Sequence, residues 1–216
     1  AIFVIGQNPG TNHPRMMSAL AAARARGARI VSVNPLPEVG LERFKNPRDF
    51  LHPLKALPTL LGDGERLADL WVQPRTGGDL ALLKGLMKEM LEAEERAPGT
   101  VLDHAFIAEH TAGFAALTAD LRATPWDAIT AGSGVPREVI NDAARVAMES
   151  RATICCWAMG LTQQPAAVAT IQQVVNFLLL RGNLGRPGAG ACPVRGHSNV
   201  QGDRTMGIAR RMPESW

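Results

Sequence analysis

Two short apolar runs on either side of one helical segment constrain the fold of this chain more than any other feature. The first is IFVI, residues 2–5, and the second is RIVSV, residues 29–33. Apolar runs without polar alternation read as strands of a parallel sheet, buried on both faces. Between them lies the turn cluster GQNPGTNH, residues 6–13, followed by Pro14, where a helix accepts proline in its first turn. The helix is expected to run to about Arg26, with Met16, Met17, Leu20 and Ala23 inward and Gly27 as its stop. This is a βαβ unit, and the turn after its first strand faces a helix N-terminus. Such turns bind nucleotides and phosphates, and they also occur as plain α/β connections.

The glycine pattern is not the dinucleotide fingerprint. Counted from Gly6, GxGxxG requires glycine at Asn8 and at Thr11, and strand two ends in Asn34 rather than an acid. An NAD- or FAD-type domain therefore loses its diagnostic residues, while another nucleotide stays open, as does a non-catalytic nucleotide-binding module.

Residues 35–69 carry five prolines, with a short helix expected only around 58–61 or 65–70. LWVQ, residues 70–73, reads as a third strand. Thr76 then opens the clearest helix, as a cap with Asp79 three residues on. Leu80, Leu83, Met87 and Met90 recur at helical spacing. Asp79 either caps this helix or also binds a ligand above it. Further helices are expected over 103–110, 113–122, 136–148 and 166–180, the last two separated by a buried strand, ATICCW, at 152–157. His104 and His110 have no ligand partner at metal spacing. Strands alternating with helices give an α/β fold with a parallel sheet flanked by helices. Ligands of such sheets sit beyond the carboxyl ends of the strands.

Residues 182–202, GNLGRPGAGACPVRGHSNVQG, hold six glycines with no helical or strand period. Arg186, Arg195, His197, Ser198, Asn199 and Gln201 add hydrogen-bonding groups, and arginine matches phosphate or carboxylate oxygens in pairs. Two readings stand: a backbone wall along a large anionic ligand, or a flexible tail.

Bulk properties exclude some classes. At 216 residues and 46% hydrophobic composition the chain can bury a core. A net charge of +3 without a basic patch argues against nucleic acid. No apolar run reaches the ~20 residues of a membrane span, and no signal peptide is visible. Cys155, Cys156 and Cys192 form no CxxC, which suits a reducing, cytoplasmic compartment and argues against a metal or iron–sulfur site built from this chain alone.

Taken together, IFVIGQNPGTNHP, IVSVNP, TGGDLALLKG, WAMGLTQ and LLLRGNLGRPGAGACPVRGHSNVQG resemble the molybdopterin oxidoreductase family, most closely its formate-dehydrogenase-like alpha subunits, nearly end to end. The resemblance implies a Rossmann-like domain that binds part of a bis(molybdopterin guanine dinucleotide) cofactor carrying molybdenum or tungsten. It implies that Gly6, Asn8, Thr11, Asn12 and His13 border the phosphates of one dinucleotide, and that Asn34 meets its ribose or guanine side. Gly78 and Asp79 would lie by the guanine, and Met159, Gly160 and Gln163 nearer the pterin. Arg195 matches the family's active-site arginine, with His197 two residues on. The implied substrate is a small anion such as formate, with a possible electron-transfer subunit as partner.

The chain departs from the pattern in two places. The family often has Asp at the Asn34 position and an arginine soon after, where this chain has Leu36 and Pro37; His197 stands where formate dehydrogenases commonly carry glutamine. The metal-ligand residue, a 4Fe-4S segment and a closing C-terminal domain of the family have no counterpart in this sequence. The expectation is an internal piece that is inactive alone: a molybdopterin guanine dinucleotide-binding α/β domain over residues 1–196, with 197–216 as the extended start of the next domain and the remaining domains of the same polypeptide as its partners.

Overall fold

The computed structural model describes residues 1–197 and 200–208, the side chains of Val200 and Gln201 excepted. Ser198, Asn199, the Gln201 side chain and residues 209–216 therefore lie outside the described part of the glycine stretch and of the expected next domain.

Five strands form one sheet: β1 (Ile2–Ile5), β2 (Ile30–Val33), β3 (Leu70–Val72), β4 (Ile154–Trp157) and β5 (Gly190–Pro193). Their order is β3-β2-β1-β4-β5, every pair parallel. Ile2 lies opposite Ile30 on one side and Ile154 on the other. The first two strands thus pair as the apolar runs predict, and β1 is central because it is apolar on both faces.

The helices are α1 (Pro9–Asn12), α2 (Pro14–Ala25), α3 (Val39–Glu42), α4 (Pro53–Leu61), α5 (Asp79–Arg96), α6 (His104–His110), α7 (Phe114–Ala123), α8 (Trp126–Ser133), α9 (Arg137–Glu149), α10 (Met159–Thr162), α11 (Ala167–Leu179) and α12 (Val200–Thr205). One sheet face, with Phe3, Ile5, Val31, Val33, Cys155 and Trp157, packs against α5, α9 and α11. The other, with Val4 and Ile30, packs against Met17, Leu20, Leu41 and Leu67. No helix among the described residues is long and apolar enough to cross a membrane.

Several local expectations are corrected. The glycine stretch does contain a strand, β5, whose sequence GACP is mostly exposed at the sheet edge and so lacks an apolar run. Residues 35–69 hold α3, a 3-10 turn (Pro47–Leu51) and α4, with Pro58 inside α4 rather than at its start. No helix forms over 65–70, because Glu65 is held in an antiparallel bridge with Phe44. Thr76 does not cap α5: Gly78 occupies the cap position with no side-chain cap. A Cβ at Gly78 would meet the Ser133 carbonyl oxygen at 2.8 Å, so this entry is fixed by backbone packing against α8.

Candidate functional site

The carboxyl ends of β1, β2 and β4 converge at the point where strand order reverses, between β1 and β4. That is where open α/β sheets leave a crevice for ligands. Gly6 leaves β1 at φ +56°, a left-handed conformation that suits glycine. The N–H of Gly160 donates to the Gly6 carbonyl at 3.1 Å, so the turns after β1 and β4 touch.

Asn8 accepts from the Thr11 N–H at 3.2 Å and caps α1, while its amide donates to Glu38. Asn34 donates to the Gln7 carbonyl at 3.2 Å and to the other Glu38 oxygen at 2.9 Å. Glu38, which sequence reasoning missed, therefore ties Asn8 to Asn34 across the ends of β1 and β2. Burial pushes its carboxyl above the usual range. Thr11 and Asn12 lie exposed on α1.

Gln7, 2% exposed, donates to His13 Nδ1 at 3.4 Å, and its Oε1 is buried without a partner. His13 Nε2 lies 2.7 Å from the Arg195 carbonyl oxygen. An Nε2–H tautomer satisfies both contacts, accepting at Nδ1 and donating to Arg195. The β1 turn thus grips the segment after β5.

A cleft of about 400 Å³ opens beside this grip, lined among others by Trp157, Met159, Thr162, Arg195 and His197. None of the described residues that line it is acidic. The exposed Arg195 guanidinium makes no hydrogen bond or ion pair among the described residues, so the cleft is suited to an anion. A larger opening of about 550 Å³ runs along α2 and α4 and includes none of the expected site residues.

Asp79 is 6% exposed, and burial raises its pKa. It accepts from Gln164 Nε2 at 2.8 Å, and the same amide donates to the Gly160 carbonyl at 2.5 Å. The residue that joins α5 to the β4 turn is therefore Gln164. The expected Gln163 is exposed and makes no side-chain hydrogen bond among the described residues. The structure thus brings Gly6, Asn8, His13, Asn34, Met159, Gly160, Arg195 and His197 to one sheet edge, with Gly78 and Asp79 joined to it through Gln164. Gln7, Glu38 and Gln164 complete the set; Gln7 stands in the first turn cluster without being singled out there, and Glu38 and Gln164 stand in no motif.

No family model matches the chain. A Mycobacterium tuberculosis protein named an uncharacterized oxidoreductase is 52% identical over 100% of the chain and 27% of its own length. Protein YdeP of Escherichia coli K12 is 44% identical over 97% of the chain and 27% of its length. Formate dehydrogenase H of Escherichia coli K12 is 29% identical over 95% of the chain and 25% of its length. Among solved structures, acetylene hydratase from Pelobacter acetylenicus superposes with a TM-score of 0.63 at 20% identity, over 87% of this chain and 22% of that one. The chain thus spans about a quarter of the length of these relatives. They bear out the resemblance to formate-dehydrogenase-like molybdopterin oxidoreductases, and the solved structure shares the fold.

Proposed function

We propose that this chain is the nucleotide-binding domain of a molybdopterin oxidoreductase, and that the edge between β1 and β4 holds one guanine dinucleotide of a bis(molybdopterin guanine dinucleotide). The observation that carries the reading is the Gly6–Gly160 contact at the reversal of strand order. It holds the two turns backbone to backbone, with Leu161 Cδ1 also against Gly6, so the main chain of both lies at the crevice where such sheets take a phosphate-bearing ligand. The Arg195 guanidinium, without an ion-pair partner among the described residues, fits an anionic ligand in the adjoining cleft.

In this reading Gly6, Asn8, Thr11, Asn12 and His13 border the phosphates, with Asn34 towards the ribose. Gly78 and Asp79 border the guanine, and Met159, Gly160 and Gln163 the pterin. When bound, the molybdenum or tungsten centre supplies two-electron redox chemistry. Arg195 binds and orients a small anionic substrate, its planar fork matching two carboxylate oxygens. His197 supplies a second polar group on the same cleft wall. The Gln7–His13 pair holds the Arg195 backbone, so the arginine is positioned from the β1 turn. The remaining domains of the polypeptide, with any iron–sulfur cluster and electron-transfer partner, supply the rest of the reaction in the cytoplasm.

A second reading draws on Glu38, a carboxylate just beyond β2, the region from which adenine-dinucleotide domains hold a ribose. The absence of GxGxxG weighs against it. The test is Arg195→Lys in the full-length protein, with metal and pterin content measured beside turnover. Lysine keeps the charge and loses the fork, so turnover falls while cofactor content stays near wild type. Proportional loss of both would refute substrate orientation by Arg195.

A further inference from the structure

Cys156 and Cys192 lie directly opposite each other on neighbouring parallel strands, β4 and β5. Residues paired in register on adjacent strands stand about 4.8 Å apart at Cα, inside the span a disulfide bridges. In that register both side chains project to the same sheet face. Cys155, one residue earlier, belongs to the opposite face, in the core with Phe3 and Ile5. The two paired thiols differ in access: Cys192 is exposed on the edge strand, while Cys156 is 4% exposed beneath it.

An accessible thiol backed by a buried one has the arrangement of a peroxide-oxidised cysteine and its resolving partner. We propose that Cys156 and Cys192 form a reversible redox modification site, a dithiol that closes to a disulfide under peroxide and opens under thiol reductants. In the first step the Cys192 thiolate attacks a peroxide oxygen, the O–O bond breaks, and Cys192 sulfenic acid and an alcohol or water result. In the second step the Cys156 sulfur displaces the sulfenic oxygen as water, losing its proton. Two thiols and one peroxide thus give one disulfide, one alcohol (or water) and one water. Two electrons pass from sulfur to the peroxide.

Burial, reinforced by the neighbouring Cys192 thiol, raises the Cys156 pKa, so Cys156 is the resolving partner and not the first to be oxidised. The bond staples the edge strand β5 to β4, three residues before Arg195. Among the described residues, one backbone hydrogen bond, from the Val194 N–H to the Trp157 carbonyl at 2.8 Å, otherwise ties the stretch from Val194 to Arg195 to β4.

The test is to treat the full-length protein with hydrogen peroxide, alkylate it under denaturing conditions and map the peptides. The expected result is a Cys156–Cys192 cross-linked peptide lighter by two hydrogens, with Cys155 the one of the three cysteines still alkylatable, all reversed by dithiothreitol. In Cys192→Ser, a conservative change at an exposed position, Cys156 should stay alkylatable at the same peroxide dose. Trypsin cleavage after Arg195 should slow severalfold in the oxidised chain. Over-oxidised Cys192 with Cys156 still free, a Cys192–Cys192 dimer, or a Cys155–Cys156 link would each overturn the proposal. A cross-link that leaves the cleavage rate unchanged would overturn the stapling of β5.

Discussion

A Cβ added at Gly160 would fall 2.6 Å from the carbonyl oxygen of Gly6 and 2.7 Å from its Cα. Both neighbours are backbone, so neither can swing aside as a flexible side chain would. Gly160→Ala must therefore separate the β1 and β4 turns. The expected cost is about 1–3 kcal/mol of unfolding free energy, the usual range for overpacking. Urea denaturation of both forms measures it. An unchanged midpoint and slope would show that the contact is not tight.

Glu94 is a buried carboxylate on α5 that organises the loop before α6. It accepts from the N–H groups of Gly99, Val101 and Leu102 at 2.5, 2.8 and 3.0 Å, and from His104 Nε2 at 2.8 Å. Burial raises its pKa, but the donors outweigh this and lower it from 4.5 to about 2. A depressed folded pKa stabilises the fold above the unfolded value and loses that contribution as pH falls through the folded one. Glu94→Gln should therefore destabilise the chain at neutral pH by about 1–3 kcal/mol. The gap between the two proteins should narrow as pH drops from 4.5 towards 2. Chemical denaturation at stepped pH reads it, and a gap that widens on acidification would contradict the assignment.

His13 holds the Arg195 carbonyl from a turn 182 residues away in sequence. Removing one such hydrogen bond is worth about 1 kcal/mol, which lowers the cost of local opening. His13→Ala should therefore speed trypsin cleavage after Arg195 by roughly fivefold. An unchanged cleavage rate with intact far-UV circular dichroism would mean that other contacts hold this segment.

These residues also mark how far the sequence could be read. β1, β2 and β4 were legible because strands buried on both faces are continuous apolar runs. β5 was not, since Ala191, Cys192 and Pro193 are exposed and only their register against β4 makes them a strand. Asn8, Asn34 and Arg195 stood out through motifs. Glu38 did not, because its role exists only once α3 folds back over the ends of β1 and β2. Gln164 did not stand out either: α10 ends at Thr162, and that this glutamine turns towards Asp79 is decided by tertiary packing. The Thr76 cap failed for a similar reason, as α8 packs against the Gly78 backbone.

The central claim is that the β1–β4 edge binds a guanine dinucleotide, and a paired titration tests it most directly. The chain is titrated with guanosine diphosphate and, separately, adenosine diphosphate, followed by calorimetry and by chemical-shift changes at Gly6, Asn8, Gly78 and Gly160. The account predicts saturable binding of the guanine nucleotide at least about tenfold tighter than the adenine one, a difference of about 1.4 kcal/mol. Shifts should be confined to that edge. Equal or tighter binding of adenosine diphosphate, or no binding of either nucleotide there, would contradict it.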